Sequence, residues 1–160
     1  MRTVIIGNSG SGKSTLAKAL AGETQLPVLD LDTIVWEQDR VAVARDRRQV
    51  IADLERFCKA HEHWIIEGCY AECAQATLRY RPELVFIDPG EETCLAHCRA
   101  RPWEPHKYAS KAEQDAKLEF LLGWVAGYYT RDDDMSHAAH RALYDAYDGP
   151  KRLVTRAPEP

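Results

Sequence analysis

Nine small or polar residues, GNSGSGKST, run from Gly7 to Thr15. Gly7, Gly12, Lys13 and Ser14 match the pattern G-x-x-x-x-G-K-[ST]. In this pattern the glycines let several backbone N–H groups turn toward one anion, the lysine brings a positive charge to the β- and γ-phosphates, and the hydroxyl ligates Mg²⁺. A flexible Gly/Ser turn is the alternative, but a β-branched run precedes the stretch and strong helix formers follow it. The stretch therefore predicts a phosphate-binding loop for ATP and Mg²⁺.

Acidic side chains follow three apolar runs farther along the chain. Asp30 and Asp32 flank a single residue, so both point to the same face of an extended chain. Beside a phosphate loop, one carboxylate is suited to hold a water on Mg²⁺ and the other to orient or deprotonate an acceptor hydroxyl. A polar strand end or a helix cap is the alternative for this pair. Glu67 is a candidate outer-shell group for the same ion, and Asp88 is either a Walker B carboxylate or a helix N-cap.

Two arginines stand at the start of an irregular segment. Arg99 and Arg101 are followed by PWEPHK, whose prolines break a helix. The planar guanidinium matches phosphate oxygens, so the pair suits a mobile lid that clamps phosphates over residues 99–131. Arg131 is placed to close from the other side, unless the acidic residues 132–134 neutralise it. A solvated surface loop is the alternative interpretation.

These residues need a sheet edge to bring them together, and the apolar pattern supplies one. The predicted strands are 3–6, 27–31, 64–66, 84–87 and 152–155. The predicted helices are 13–22, 45–60, 91–99, 110–129 and 137–147, with Gly22 as a stop and Ser110 and Glu113 as a capping box. Strands that alternate with helices favour a parallel sheet with right-handed crossovers. Ligands of such sheets bind at the carboxyl ends of the strands, where the candidate residues stand.

Composition limits the class of protein. A length of 160 residues predicts one domain, and a hydrophobic fraction of 45% excludes disorder. The formal charge of −4, from 21 basic and 25 acidic residues, argues against a nucleic-acid-binding surface. No apolar run approaches the length of a membrane span, and the chain enters a strand at once, which argues against a signal peptide. We therefore expect a cytoplasmic protein without a membrane segment.

The five cysteines favour packing over metal binding. An odd number of cysteines beside a nucleotide loop indicates a reducing compartment. Cys69 and Cys73 share a C-x-x-x-C spacing with Cys94 and Cys98, and zinc sites usually use tighter pairs on turns. The second pair is predicted to lie within one helix, as small, half-buried thiols.

At this point the chain resembles the small P-loop kinases of the adenylate kinase, shikimate kinase and gluconate kinase type. The likeness covers most of the chain, and the phosphate loop is its specific part. DLD at Asp30 to Asp32 resembles the D-x-D of shikimate kinases, in which the first Asp serves Mg²⁺ and the second serves the acceptor hydroxyl. RARP at Arg99 to Pro102 resembles the lid arginine motif. The chain is also similar in length and pattern to bacterial proteins called adenylate kinase-like or DNA topology modulation proteins.

The segment from Glu67, EGCYAECAQA, resembles the D-G-F-P-R segment of adenylate kinases, whose Asp lies near Mg²⁺. Gln75 falls where that family has the Gln that reads the AMP base. Ala71, however, stands where that family has its phosphate-binding Arg, which argues against AMP as the acceptor. The Gly-rich segment of shikimate kinases is also missing at 67–70.

The resemblance implies a single-domain α/β P-loop protein over residues 1–160, with a five-stranded parallel sheet in the order 2-3-1-4-5 and a lid segment. It implies an enzyme that moves the γ-phosphoryl group of ATP to a small molecule with Mg²⁺, working as a monomer or homodimer. A nucleoside monophosphate kinase and an ATP-dependent regulator or nucleic-acid-associated ATPase remain as alternatives. A GTPase is disfavoured because no N-K-x-D segment occurs.

The candidate site residues form four overlapping sets. The nucleotide-binding set is Gly7, Asn8, Ser9, Gly10, Ser11, Gly12, Lys13, Ser14, Thr15 and Arg101. The catalytic set is Lys13, Asp32, Arg99 and Arg101. The acceptor-binding set is Asp32, Trp36, Arg40, Gly68, Gln75 and Arg131. The metal set is Ser14, Asp30 and Glu67.

Overall fold

A parallel five-stranded sheet forms the centre of the molecule in the computed structural model, which describes residues 1–40 and 42–159. Its strands lie in the order β2-β3-β1-β4-β5, which confirms the predicted fold class and strand order. The strands are β1 (Arg2–Gly7), β2 (Val28–Asp30), β3 (Trp64–Gly68), β4 (Glu83–Ile87) and β5 (Lys151–Val154).

Seven α-helices connect the strands within the described residues. They are α1 (Lys13–Thr24), α2 (Asp32–Val35), α3 (Arg47–Ala60), α4 (Ala71–Thr77), α5 (Glu91–Ala100), α6 (Lys111–Ala126) and α7 (His137–Ala146). Short 3₁₀ turns follow α4 at Leu78–Tyr80 and α6 at Gly127–Tyr129. None of the helices in the described ranges combines the length and the apolar character that a bilayer crossing requires.

Both faces of the sheet are covered. Val4 and Ile6 of β1 join the larger core cluster, which includes Leu54 of α3, whereas Ile5 joins a smaller cluster with Ala17 of α1. This division follows from the alternation of side chains along a strand. Because apolar packing is needed on both faces, the central strands are continuous apolar runs rather than alternating ones.

Two predicted helix boundaries were wrong for local reasons. Gly22 does not stop α1, which continues to Thr24 and ends where Gln25 adopts a φ of 54°. Helix α3 begins at Arg47 rather than Arg45, because the side chain of Asp46 accepts hydrogen bonds from two backbone N–H groups of the first turn and caps it.

Helices α2 and α4 were not predicted. Helix α2 has only four residues, too few to show a helical period. Helix α4 has the sequence AECAQAT, in which small residues and one buried thiol replace the large apolar side chains that mark a core-facing helix.

The pair Cys94 and Cys98 lies within α5, as predicted. Both side chains are buried in a cluster with Val125 of α6. All five cysteines are free thiols. The two residues therefore help to pack the lid-bearing helices against each other.

Candidate active site

The phosphate loop connects the end of β1 to the first turn of α1, and its shape depends on glycine. Gly10 and Gly12 adopt φ angles of 79° and 100°, a region that disfavours other residues. A Cβ atom at Gly10 would collide with the carbonyl oxygen of Cys94 and lie 2.9 Å from the Sγ of Cys98. The loop is therefore pressed directly against α5.

Lys13 holds its charge at the floor of a cleft. Its side chain is buried, and its Nζ donates to the carbonyl oxygen of Asn8 at 2.7 Å. Burial alone would lower the pKa of Lys13, but nearby Cys69, Glu67 and Asp32 outweigh this effect and raise it. The ammonium group therefore stays charged next to the loop that is predicted to bind phosphate.

Ser14, Asp30 and Glu67 bring oxygen atoms together at the carboxyl edge of the sheet. Asp30 and Glu67 are register partners on β2 and β3, and the Ser14 hydroxyl donates to Glu67 Oε1 at 2.6 Å. Burial raises the pKa of both carboxyl groups, and a neighbouring carboxylate raises each further: Asp32 acts on Asp30, and Asp30 acts on Glu67. A hard divalent cation bound with substrate phosphates needs only one or two protein oxygens, so this group fits Mg²⁺. In residues 1–40 and 42–159, no three acidic, His or Cys side chains cluster closely enough to hold a metal ion alone.

Asp32 is the first residue of α2, and both of its carboxylate oxygens have partners. The Tyr70 hydroxyl donates to Oδ1 at 2.5 Å, and the Lys107 ammonium lies 3.0 Å from Oδ2. Burial would raise the pKa of Asp32, but Lys107 and Tyr70 outweigh it and hold the pKa below its usual value. Asp32 is therefore ionised.

Residues 101–110, here called the lid segment, cross the mouth of the cleft between α5 and α6. Arg101 donates to the Ser9 hydroxyl at 3.3 Å and lies 3.9 Å from the Glu104 carboxylate. The side chain of Gln114 on α6 fixes the segment from behind, by accepting from the Glu104 N–H at 2.8 Å and donating to the Pro102 carbonyl at 3.0 Å. The segment thus reaches the phosphate loop through Arg101 and Asp32 through Lys107.

The cleft enclosed by these elements has a volume of about 550 Å³, which is within the range of small-molecule sites. Its walls come from the phosphate loop, the ends of β2 and β3, the end of α5 and the lid segment. Phosphate-directed groups and an ionised carboxylate therefore face the same enclosed space.

Comparison with known proteins agrees with this arrangement. Residues 2–158 match a family described as an AAA domain. The chain belongs to this family. No curated protein matches it.

Several solved structures have a fold similar to that of the AAA-domain chain. A sugar kinase from Janibacter sp. HTCC2649, in an unliganded structure, is 15% identical with a TM-score of 0.53, over 98% of this chain and 86% of that one. A gluconokinase from Sinorhizobium meliloti 1021 is 15% identical with a TM-score of 0.50, over 92% and 93%. An uncharacterized protein from Eubacterium ventriosum ATCC 27560 is 17% identical with a TM-score of 0.51, over 98% and 90%. The fold is therefore that of the small P-loop kinases, as the resemblance implied.

The AAA-domain chain brings most of its predicted site residues to the cleft. The predicted residues that line it are Ser9, Gly10, Gly12, Lys13, Ser14, Thr15, Asp30, Asp32, Glu67, Gly68 and Arg101. Three further loop residues, Gly7, Asn8 and Ser11, lie beneath this surface and are buried. Asn8 ties the loop to α6, because its Nδ2 donates to the Val125 carbonyl at 3.2 Å.

Five predicted residues are not part of the cleft lining within the described ranges: Trp36, Arg40, Gln75, Arg99 and Arg131. Arg40, Gln75 and Arg99 are exposed. Arg131 donates to Asp133 at 2.9 Å and lies over the Trp124 ring, 4.3 Å from its centroid. Neutralisation of Arg131 by the neighbouring acidic residues, the alternative noted from the sequence, is what the structure shows.

Asp88 takes neither of its two predicted roles. It lies at the end of β4 but outside the cleft lining, where the Tyr129 hydroxyl donates to it and His137 Nε2 is 3.1 Å from its carboxylate. The N-cap position of α5 is Gly90, with no side-chain cap. Glu67, rather than Asp88, is the carboxylate beside Ser14.

Gly68 has a packing reason in addition to its place in the cleft wall. A Cβ atom there would lie 2.8 Å from the Cβ of Leu31, which is fully buried. The absence of a side chain therefore lets the β2–α2 connection, and with it Asp32, pack against the end of β3.

Sequence reasoning missed several residues of the cleft region, including Lys107, Tyr70 and Pro158. Lys107 is one basic residue in an irregular segment, and Tyr70 reads as an ordinary core aromatic. Pro158 lies in the irregular segment after β5, and its ring occupies the space above Gly12 and lines the cleft. Only the spacing of Tyr70, three residues after Glu67, gave a signal, because it places the tyrosine just beyond the same strand end.

Proposed function

We propose that the chain is a Mg²⁺-dependent kinase that transfers the γ-phosphoryl group of ATP to a hydroxyl group of a small molecule. The observation that supports this most strongly is the presence of a phosphate loop and the ionised Asp32 in one cleft, with the Ser14–Glu67 pair on the same sheet edge. A protein that only bound nucleotide would have no need for a half-buried, hydrogen-bonded carboxylate opposite the phosphates.

At the nucleotide end, the loop N–H groups and Lys13 bind the phosphates. Ser14 would ligate Mg²⁺, and Asp30 and Glu67 would hold waters on the ion. When bound, the ion neutralises charge on the β- and γ-phosphates. The negative charge that Asp30 and Glu67 bring to one edge of the sheet stabilises a cation there.

At the acceptor end, Asp32 accepts a hydrogen bond from the acceptor hydroxyl and orients its oxygen toward the phosphorus. Arg101 and Lys107 approach from the lid segment and neutralise charge on the group in transit. Arg99 was assigned the same task from the sequence, but its exposed position favours Arg101 and Lys107.

The nucleoside monophosphate alternative gains no support from the cleft. Gln75, which would read the base, is exposed on α4, and Ala71 is buried where a phosphate-binding arginine would stand. We therefore favour an acceptor other than a nucleoside monophosphate.

A transfer screen tests the proposal. Labelled ATP is offered with Mg²⁺ and monophosphates, nucleosides, sugars or hydroxy acids, and the label is followed into product. We expect transfer to a hydroxyl compound that is lost in Lys13→Met and kept in Lys59→Met, a substitution on the exposed surface of α3. Turnover that responds only to DNA or RNA, with steep salt dependence, would replace this proposal with the regulator alternative.

A further inference from the structure

A chain of two hydrogen bonds leads from the core to Asp32. Trp36 Nε1 donates to the Tyr70 hydroxyl at 2.8 Å, and that hydroxyl donates to Asp32 Oδ1 at 2.5 Å. The chemistry of the three groups fixes the direction of both hydrogen bonds. The indole N–H can only donate and the ionised carboxylate can only accept, so the phenol must accept from the indole and donate to the carboxylate. The order Trp36, Tyr70, Asp32 is therefore fixed by chemistry as well as by distance.

The two aromatic residues are packed in or against the larger core cluster. Tyr70 is 4% exposed and is part of the larger core cluster. Its ring meets Trp36 edge to face, with centroids 6.4 Å apart. The segment that carries Trp36 is held by a β-bridge to Ala44 and by a hydrogen bond from the Arg45 N–H to the Val35 carbonyl at 2.9 Å.

The opposite oxygen of Asp32 faces a different partner. Lys107, at 3.0 Å from Oδ2, belongs to the lid segment rather than to the core. One oxygen of the carboxylate is thus bound to the core, and the other is the oxygen that a group entering from the cleft reaches.

We infer, on the basis of the proposed function, that Tyr70 and Trp36 are positioning residues that hold Oδ1 of Asp32 and so direct Oδ2 at the acceptor hydroxyl. Without the Tyr70 hydroxyl, the carboxylate is free to rotate about its χ angles and to turn Oδ1 toward Lys107. A shift of about 1 Å in a reacting group costs on the order of 10²-fold in rate. The two aromatic residues therefore act on catalysis through Asp32 and touch no substrate.

A first test follows the relay without any substrate. The indole N–H resonance of Trp36 is recorded by NMR in Asp32→Asn, Tyr70→Phe and the control Tyr147→Phe. Tyr147 is also a core tyrosine, but its hydroxyl donates to the Pro82 carbonyl at 2.7 Å. We expect both relay variants to move the Trp36 resonance while Trp64 and Trp124 serve as unmoved references. An unmoved Trp36 resonance in Asp32→Asn would overturn the inference.

A second test measures the effect on the reaction as a double-mutant cycle. Phosphate release from MgATP, with water as the acceptor, is compared in Tyr70→Phe, Asp32→Asn and the double variant. We expect Tyr70→Phe to lower kcat by about tenfold or more, to leave the ATP Kd within about twofold, and to add less than about twofold in the Asp32→Asn background. Trp36→Phe should show a smaller loss of the same kind, and Tyr147→Phe none.

The outcomes separate the inference from the proposed function. The positioning role would be overturned if Tyr70→Phe lowered kcat by the same factor in the wild-type and Asp32→Asn backgrounds. It would also be overturned if Asp32→Asn itself left kcat unchanged. Phosphate release without transfer to any compound of the screen would instead reject the kinase proposal, and the Trp36 resonance would show whether the relay itself is intact.

Discussion

Among single residues, Lys13 and Asp32 define the two ends of the proposed reaction. Lys13 is buried and turned inward onto the phosphate loop, so little of its side chain contributes to the apolar core. Asp32 is stabilised as an anion by Tyr70 and Lys107. Substitutions at these two positions should therefore affect chemistry much more than folding.

The change Lys13→Met removes the charge for the β- and γ-phosphates and keeps a stem of similar shape. We expect ATP turnover to collapse while the far-ultraviolet circular dichroism spectrum and the thermal transition remain those of the wild type. Lys59→Met on the surface of α3 is the control. A normal turnover rate in Lys13→Met would refute the phosphate-loop assignment.

The changes Asp32→Asn and Asp30→Asn should separate the two carboxylates. Asp32→Asn should lower the transfer rate by about 10²–10⁴-fold, as expected for loss of a positioned base, and change ATP affinity by less than about tenfold. Asp30→Asn should weaken the dependence on Mg²⁺ more than the use of acceptor. Calorimetry of ATP binding and measured transfer rates compare the two variants. If Asp32→Asn lost ATP binding but kept a normal transfer rate at saturating ATP, the assignment of Asp32 to the acceptor and Asp30 to Mg²⁺ would be wrong.

The residues found from the sequence are all marked by local patterns. Asp30, Asp32 and Glu67 stand at or next to strand ends, so strand prediction alone places them at one edge of the sheet. Lys13 is placed at the same edge by the phosphate-loop pattern between β1 and α1. Lys107 reaches Asp32 from an irregular segment whose path depends on Gln114, and no local pattern encodes that path.

At the level of elements, the contact between the phosphate loop and α5 determines how accurately the loop is held. Gly10 lies against the backbone of α5 at Cys94 and against the Cys98 thiol. His97, on the same helix, forms a hydrogen bond through Nδ1 with the Gly10 carbonyl at 2.8 Å. Helix α5 therefore helps to shape the predicted nucleotide site, although Arg99, the predicted phosphate ligand that it carries, is exposed.

The substitution Gly10→Ala should push the phosphate loop away from α5. The new Cβ has no room, and a φ of 79° is unfavourable for alanine, so we expect the free energy of unfolding to fall by about 1–3 kcal/mol and ATP affinity to drop. Gly22→Ala is the matched control, because no atom lies within 4 Å of its Cβ position in α1. That control should gain about 0.5–1 kcal/mol. Urea unfolding and calorimetry compare the two, and unchanged ATP affinity in Gly10→Ala would contradict the expected coupling.

The strands and helices with strong sequence patterns were predicted, and those with weak patterns were missed. The five strands are β-branched or apolar runs bounded by turns, and all five were found. Helix α1 passes Gly22 because the loss of helix propensity there is small compared with the packing of Leu16, Ala17 and Leu20 on the sheet. Helix α4 was missed because its burial depends on contacts with α3 and α7 that lie far away in sequence.

Across the whole molecule, His140 joins elements that are distant along the chain. It is fully buried on α7, its Nε2 lies at hydrogen-bonding distance from the Cys69 carbonyl, and its Nδ1 is 2.7 Å from the Tyr128 hydroxyl. In the neutral ring, Nε2–H donates to the carbonyl and Nδ1 accepts from the phenol. Burial lowers the pKa of His140 to about 4 from its usual 6.5.

This histidine should make the fold sensitive to acid. Between pH 6.5 and pH 4 the unfolded chain binds a proton at His140 that the folded chain does not, so stability falls as the pH falls. From pH 7 to pH 4 its contribution to the loss is about 3 kcal/mol. His140→Gln keeps a donor and an acceptor but does not titrate, and its free energy of unfolding should fall less over the same range. Urea unfolding at each pH gives the free energy of unfolding of the wild type and of His140→Gln. If the two free energies fell in parallel with pH, His140 would make no contribution to the acid sensitivity.

The packing of Pro158 over Gly12 has a practical consequence for attaching probes. The chain around Pro158 passes the mouth of the cleft, so a fluorophore attached at the exposed Glu159 would sit beside the incoming nucleotide and report its arrival directly. A fluorophore at Met1 would stand at the opposite edge of the sheet, where β1 begins, and would remain silent. The pair of labelled proteins would separate local occupancy of the cleft from any change that spreads through the whole fold.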